Sequence, residues 1–194
     1  MTEYQKYYLS NLEGYLLKQV CPRFQQLGFL SASEFFCIVI WKANRAKSKI
    51  ARKLLRESDC GSLDEAVRKL TEDIAQAGSA EARMRVLVEE WKFWLPMASA
   101  ILTILYPEEF TVYDVRVAGV IDEEHQTNLV QLGNRKTFAR LWSGYNEYLD
   151  WVKKSAPTAT SLREKDHHLW GKSFFLQLQK DIRENFSSEG VDKD

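Results

Sequence analysis

Seven cationic side chains form the first group of residues whose types and spacing could do chemistry. They lie at positions 42 to 56, where no Asp or Glu occurs in fifteen residues. On about four turns of a helix, this density of charge produces a local field that attracts phosphates and other anions. We therefore predict that residues 42–56 bind DNA, with contacts from Lys42, Arg45, Lys47, Lys49 and Arg52. The segment also contains Lys53 and Arg56.

The net charge of the chain does not reveal this segment, because 27 basic residues balance 27 acidic residues. Residues 57–124 carry an excess of acids that offsets the cations before them. Two alternatives to DNA binding therefore stay open. The cations could form a solvated face that the acidic stretch neutralises, or they could bind a protein partner.

A carboxylate at a predicted helix start forms the second group. Pro96 opens a helix with the small residues Ala98, Ser99 and Ala100, and a Tyr-Pro turn follows that helix. A short apolar run of extended character then leads to Asp114. Asp is a preferred N-cap residue, so Asp114 is predicted to begin a helix that reaches about residue 120. Capping alone, with no catalysis, is one interpretation of this carboxylate.

This succession resembles the helix-hairpin-helix DNA glycosylase superfamily over residues 91–120. Members of that superfamily have a Leu-Pro opening, a small-residue helix, and an Asp that ends a short apolar run. The resemblance implies an all-α fold, DNA binding, and release of a modified base. It also implies that Asp114 is the catalytic carboxylate, since an anion lowers the barrier to forming a sugar cation. Ser99 and Arg116 would then contact the nucleic acid.

The hairpin of the superfamily has no direct counterpart in this sequence. Its Gly-x-Gly turn is missing, because no glycine occurs from Ser79 to Ala118, and residues 92–96 stand in its place. The lysine that forms a Schiff base in bifunctional members is also absent from that position. We therefore expect a monofunctional glycosylase, without lyase activity. A non-catalytic helical adaptor and an enzyme that acts on another small molecule in the same pocket are the alternatives.

Aromatic residues near both groups are candidates for the wall of a base pocket, and we name Trp41, Trp94 and Tyr113. Trp91 and Trp94 stand three positions apart in a predicted helix from residue 79 to residue 94. That spacing is equally typical of the buried face of a helix. His167 and His168, next to Asp166, offer a possible acid/base pair, in a run similar to a later helix of the superfamily. Adjacent residues point to different faces of a helix, which disfavours this pair.

Several other classes of site are excluded by the sequence. The nine glycines are scattered, so neither a P-loop nor a dinucleotide-binding glycine motif occurs. The three histidines lack zinc-binding spacing. We therefore expect no metal and no cofactor.

The chain also shows no sign of a membrane or secretory location. The three cysteines form no CxxC pair and are expected to be reduced thiols. The N-terminal residues do not resemble a signal peptide. The longest uncharged run has 15 residues, fewer than the ~20 that a membrane-spanning helix needs. We predict a cytoplasmic protein that does not enter a membrane.

Helical periodicity, caps and breakers predict one all-α domain of about eight helices over residues 1–186. A frayed polar tail is expected at residues 187–194. Ser31 with Glu34, and Ser62 with Glu65, have the spacing of capping boxes. The first box predicts a single long helix that continues through the basic segment to Arg56.

Overall fold

The computed structural model describes residues 4–184, which consist of helices and connecting loops with no β-strand in that range. The all-α prediction is confirmed. The predicted boundary at residue 186 and the predicted tail at residues 187–194 lie outside the described residues. The α-helices are α1 (Leu9–Tyr15), α2 (Cys21–Leu27), α3 (Ala32–Ala43), α4 (Lys47–Glu57), α5 (Leu63–Gln76), α6 (Ala80–Arg85), α7 (Leu95–Leu105), α8 (Val115–His125), α9 (Phe138–Lys154) and α10 (Leu162–Glu184).

Local capping explains where two of these helices begin. The Ser31 hydroxyl accepts a hydrogen bond from the Glu34 backbone amide, and the Glu34 carboxylate accepts one from the Ser31 amide at 2.9 Å. The Ser62 hydroxyl likewise accepts from the Glu65 amide at 3.3 Å. The Glu65 carboxylate, however, reaches the amide of Gly61, one residue before the cap. Both predicted helix starts are confirmed.

The long helix predicted through the basic segment is divided into α3 and α4. A 3-10 turn at Asn44–Ala46 separates them, and Ala43 leaves the helical conformation with φ −161° and ψ 82°. The two parts differ in amphipathicity, because α3 is largely apolar whereas α4 buries only Ile50 and Leu54. The break lets the narrow apolar face of α4 pack on the core while its cations face solvent.

The helix predicted from residue 79 to residue 94 ends early, and this changes the position of Trp94. A π-helical turn, Val86–Glu90, follows α6, and Lys92 then adopts a left-handed conformation with φ 56°. The chain direction changes there, so helical spacing no longer relates Trp91 to Trp94. Trp91 is 4% exposed and packs in the core, whereas Trp94 is 74% exposed.

Helix α7 lies in the centre of the hydrophobic core. Every residue of α7 except Pro96 is buried. The small side chains of Ala98 and Ala100 allow neighbouring elements to approach closely, and α7 contacts α2, α3 and α6. The buried side chains from Leu12 to Leu169 form one continuous cluster around it.

Helix α10 has two different halves. Its first half buries Asp166 and Leu169, and the helix packs on α8 and α9. From Trp170 onward the helix carries an exposed apolar stripe, formed by Trp170, Phe174, Phe175, Leu178 and Ile182. None of the helices in residues 4–184 combines the length and the hydropathy needed to cross a membrane.

Candidate functional site

The extended segment that leads to Asp114 is held by tyrosine hydroxyl groups of α9. No strand in the described part of the chain pairs with it, so its buried backbone groups need other partners. The Tyr145 hydroxyl accepts from the Thr111 amide at 3.1 Å and donates to the Thr111 carbonyl at 2.7 Å. The Tyr148 hydroxyl donates to the next carbonyl along the segment at 2.9 Å. These contacts fix the course of the extended segment and therefore the position of Asp114.

Ser99 and Tyr113 belong to this scaffold instead of contacting a ligand at Asp114. Ser99 is fully buried, and its hydroxyl accepts from the Tyr113 amide at 2.9 Å. We expected Ser99 to bind nucleic acid, but a nucleic acid cannot reach it, because α7 places it in the interior. Tyr113 is 1% exposed and donates its hydroxyl to the Leu129 carbonyl. It lines a separate cavity that borders Trp94.

Asp114 both caps α8 and faces a cavity. One carboxylate oxygen accepts from the Arg116 amide at 3.0 Å, and the other accepts from the Lys42 ammonium at 3.0 Å. The cavity has a volume of about 450 Å³, and we call it the Asp114 pocket. Its lining residues come from the end of α3, the extended segment and the first half of α10. They are Trp41, Lys42, Val112, Asp114, Arg163, Asp166, His167 and Trp170.

The surroundings of Asp114 favour its ionised form. Partial burial acts to raise the pKa of this carboxyl group, but the charge of Lys42 and the Arg116 amide act in the opposite direction. The net result is a pKa below the ordinary value for an aspartate. Asp114 is therefore an anion at neutral pH. The predicted helix start and the position of Asp114 in a pocket are both observed.

A partly buried ion-pair network forms one side of the Asp114 pocket. Arg163 donates from Nε and Nη2 to the two carboxylate oxygens of Glu13, at 2.9 and 2.8 Å. Its Nη1 contacts the Asp166 carboxylate. Trp41 donates its indole N–H to Glu13 at 3.2 Å, and the guanidinium lies 4.9 Å from the centre of the Trp41 ring. Burial opposes ionisation of Glu13, but Arg163 outweighs it and lowers the pKa of that carboxyl.

Asp166 is the second carboxylate of the pocket, and its environment differs from that of Asp114. It is 3% exposed, and burial raises its pKa to about 6, although Arg163 and His167 act to lower it. A direct contact of His167 with Asp166 is not observed. The His167 Nε2 lies 3.1 Å from Glu13 instead. The pocket therefore holds two carboxyl groups whose pKa values are shifted in opposite directions.

Most cations of the basic segment have no ion pair with a carboxylate in residues 4–184. Lys42 pairs with Asp114 and Arg56 with Glu57, and these are the ion pairs that the segment makes there. Of the remaining ion-paired acids of residues 57–124, Glu124 pairs with Lys172, and the others pair with cations of α5 and α6, namely Arg68, Lys69, Arg83 and Arg85. Intramolecular neutralisation therefore accounts for two of the seven cations. The cations without such a pair are Arg45, Lys47, Lys49, Arg52 and Lys53.

A second cavity, of about 260 Å³, adjoins the Asp114 pocket through Lys42. Lysines from α3, α4 and the turn at Lys92 line it, together with Trp94 and an apolar floor, and we call it the lysine groove. Trp94, which we expected in a pocket, lines this groove and not the Asp114 pocket. Four other predicted contact residues, Arg45, Lys47, Arg52 and Arg116, are exposed and line neither cavity.

The network around Asp114 includes two residues that sequence reasoning missed, Arg163 and Glu13. Arg163 and Asp166 stand three positions apart on a predicted helix, which is a local signal for an ion pair. Glu13 lies 150 positions from Arg163 and has no local signal. Within the described residues, no group of three or more His, Cys, Asp or Glu side chains could hold a metal ion.

Comparisons of the chain with known protein families, with curated proteins and with solved structures found no match. The relationship to helix-hairpin-helix DNA glycosylases therefore stays a prediction based on the residues quoted above. Function has to be inferred from the geometry of the pocket and of the surface around it.

Proposed function

We propose that this protein binds DNA and recognises or excises a modified base, in the manner of a monofunctional DNA glycosylase, with Asp114 as the catalytic carboxylate. The observation that carries the proposal is the position of Asp114. Its carboxylate is ionised, it opens into a cavity of about 450 Å³, and unpaired cations lie on the adjoining surface. A carboxylate that only capped its own helix would not need such a cavity.

The chemistry of base excision suits this arrangement. When an N-glycosidic bond breaks, positive charge develops on the sugar, and a fixed anion stabilises that charge in the transition state. Asp114 is held by the Arg116 amide and by Lys42, so little reorganisation is needed as the charge forms. The lowered pKa keeps Asp114 ionised at neutral pH, which this role requires.

The walls of the pocket offer the groups that bind a base. Its volume falls within the ~300–1,000 Å³ of ordinary small-molecule sites. Trp41 and Trp170 supply aromatic surface for stacking, and Arg163 and His167 supply polar groups at the edge. Proteins that act on a base extrude it from the helix and bind it by stacking and hydrogen bonds. The same groups could bind a base without excising it.

The decisive experiment is a screen of oligonucleotides that carry modified bases, as single strands and as duplexes. Abasic products are detected by strand cleavage in alkali. Asp114→Asn is expected to lower base release by about 100- to 1,000-fold, because a neutral amide cannot stabilise the sugar cation. DNA affinity should change little, because Asn also caps helices well and keeps α8 intact.

Asp150→Asn is the matched control, because Asp150 is exposed on α9 and lines none of the cavities described above. It should leave base release unchanged. If the wild-type protein releases no base from any oligonucleotide, catalysis is contradicted and recognition alone stays. If Asp114→Asn and the wild type release base equally fast, Asp114 has no part in the reaction.

Protein association is a second candidate function, and the exposed stripe on α10 favours it. Five apolar side chains there face solvent, and contiguous apolar surface is typical of interaction sites. Replacing Phe174 and Leu178 by Glu would abolish such an association without changing DNA affinity. Light scattering and DNA binding, measured on the same variant, separate the two functions.

We also propose a cytoplasmic location. Cys21 and Cys60 are free thiols in the structure. Free thiols are typical of proteins in reducing compartments.

A further inference from the structure

The lysine groove combines positive charge with apolar surface. Lys42, Lys49, Lys53 and Lys92 line it, and no carboxylate does. Between them lies a floor built from the apolar side chains Ile50, Phe93 and Met97. This charge pattern is complementary to an anion, and the floor is complementary to a flat apolar group. A ligand that satisfies both must carry negative charges and apolar faces close together.

Trp94 projects from the edge of the groove because of the turn at Lys92. The left-handed conformation of Lys92 is unfavourable for a residue with a side chain, and hydrogen bonds hold it in place. Lys53 donates from Nζ to the Lys92 carbonyl at 2.7 Å, and Lys92 donates from Nζ to the Glu89 carbonyl at 2.6 Å. As a result Trp94 is 74% exposed, with the Lys49 ammonium 4.6 Å from its ring centre.

We propose that the lysine groove binds an unpaired stretch of DNA, with one base stacked on Trp94 and the neighbouring phosphates bound by Lys49, Lys53 and Lys92. The inference rests on the proposed DNA-binding function and names its substrate as single-stranded DNA. Lys42 belongs to both cavities, so a strand in the groove continues directly to the Asp114 pocket. The groove thus holds the strand so that the base next to the one stacked on Trp94 enters the Asp114 pocket.

A duplex fits the groove less well than a single strand. The bases of a duplex are stacked inside it, and it presents its charged backbone, so Trp94 and the apolar floor would face phosphates. An unpaired strand presents both parts at once, and aromatic platforms in basic grooves are the usual means of binding it. An acidic peptide would satisfy the lysines but leave the exposed indole without a planar partner.

Fluorescence anisotropy with a labelled oligothymidine and with a duplex of equal length tests the proposal. The wild-type protein should bind the single strand more tightly than the duplex. Trp94→Ala is expected to weaken single-strand binding by about 5- to 100-fold, because the stacking of one base is lost. Trp94→Phe should restore most of that affinity. Lys49→Gln should lower the slope of log affinity against log salt by about 0.7, as expected for one phosphate contact with a single strand.

Two substitutions outside the groove serve as matched controls. Phe175→Ala removes another exposed aromatic side chain, on α10, and Lys18→Gln removes an exposed lysine before α2. Neither should change single-strand affinity more than about twofold. Equal loss from Trp94→Ala and Phe175→Ala, or equal binding of single strand and duplex, overturns the proposal. Trp94-dependent binding to phosphatidylserine vesicles, with no binding to oligothymidine, also overturns it in favour of a membrane surface.

The binding experiment is carried out with Asp114→Asn as well, so that the two proposals can fail separately. Trp94-dependent binding of single strands without base release by the wild type supports the groove and contradicts catalysis. Base release from duplexes that does not depend on Trp94 supports catalysis and overturns the groove as the substrate site.

Discussion

The Asp114 pocket and the lysine groove share Lys42 but balance their charges in opposite ways. In the pocket each cation on the wall has a carboxylate partner, since Lys42 pairs with Asp114, and Arg163 pairs with Glu13 and Asp166. In the groove Lys49 and Lys53 have no such partner in residues 4–184. The Lys49 ammonium lies over the Trp94 indole ring, and the Lys53 ammonium donates to the Lys92 backbone carbonyl.

The physical reason for the difference is burial. An ion that is removed from water is costly unless an opposite charge and hydrogen bonds compensate it, so the pocket must balance its charges internally. Lys49 is exposed and stays hydrated, so it needs no carboxylate partner and can bind an anionic ligand. The half-buried Lys53 is compensated in part by its hydrogen bond to the Lys92 carbonyl. Substitutions in the pocket should therefore change folding stability, and substitutions in the groove should change binding.

The largest effect is expected from Arg163→Met. The substitution leaves the Glu13 and Asp166 carboxylates without their cation, and removing one partner of a buried ion pair costs about 3–5 kcal/mol. Urea unfolding at neutral pH, followed by circular dichroism, measures this loss of stability. The midpoint should fall while the slope against urea stays constant.

Arg52→Met is the control for this prediction, because Arg52 is exposed and makes no ion pair among the described residues. Its effect on stability should be below about 0.5 kcal/mol. Equal effects of the two substitutions would mean that the charges of the pocket are as well hydrated as those of the surface.

A smaller, pH-dependent effect is expected from Asp166→Asn. Burial raises the Asp166 pKa from 3.8 to about 6, so the folded protein binds this proton more tightly than the unfolded chain does. The contribution of Asp166 to stability is therefore most favourable below about pH 4 and is lost as the pH rises to about 6. A shift of this size corresponds to about 3 kcal/mol at neutral pH.

The difference in unfolding free energy between Asp166→Asn and the wild type reveals this effect. It should change by about 2 kcal/mol in favour of the variant between pH 4 and pH 6, and approach the full ~3 kcal/mol only over a wider pH range. For Asp150→Asn, at an exposed carboxylate of α9, the difference should stay constant across that range. If the difference in unfolding free energy for Asp166→Asn does not change with pH, Arg163 keeps Asp166 ionised down to its ordinary pKa.

Features that depend on local spacing could be predicted from the sequence. The starts of α3 and α5, and Asp114 as the N-cap of α8, follow from side chains that bond to amides two or three residues away. The all-α class follows from the same local signals. Asp114, Trp41 and Lys42 were predicted separately, and the structure brings these three residues together in one pocket.

Features that depend on distant contacts could not be predicted in this way. Glu13 is separated from Arg163 by 150 positions, so only the packing of α1 against the rest of the core brings them together. The left-handed conformation of Lys92 is held by Lys53, 39 positions away. Because that turn was not foreseen, helical spacing predicted that Trp91 and Trp94 share one face of a helix. Ser99 was placed at the surface because its need to satisfy the Tyr113 amide has no signature in the sequence.

The smallest of the three effects is expected from Lys42→Met, which tests the residue that joins the two regions. Methionine fills the space of the lysine stem but removes the charge that lowers the pKa of Asp114, so that pKa should rise. The loss of a hydrogen bond between charged groups costs about 1–2 kcal/mol here, because both side chains keep some exposure. Since the Asp114 pKa is lowered in the folded protein, this stabilisation is present at neutral pH and disappears as acid protonates the carboxylate.

Carboxyl-carbon NMR titration of Asp114, with Lys49→Met as the control, measures the shift in the Asp114 pKa. A shift with Lys42→Met alone means that the pocket and the groove are electrostatically separate, whereas equal shifts mean that the whole lysine surface sets the ionisation of Asp114.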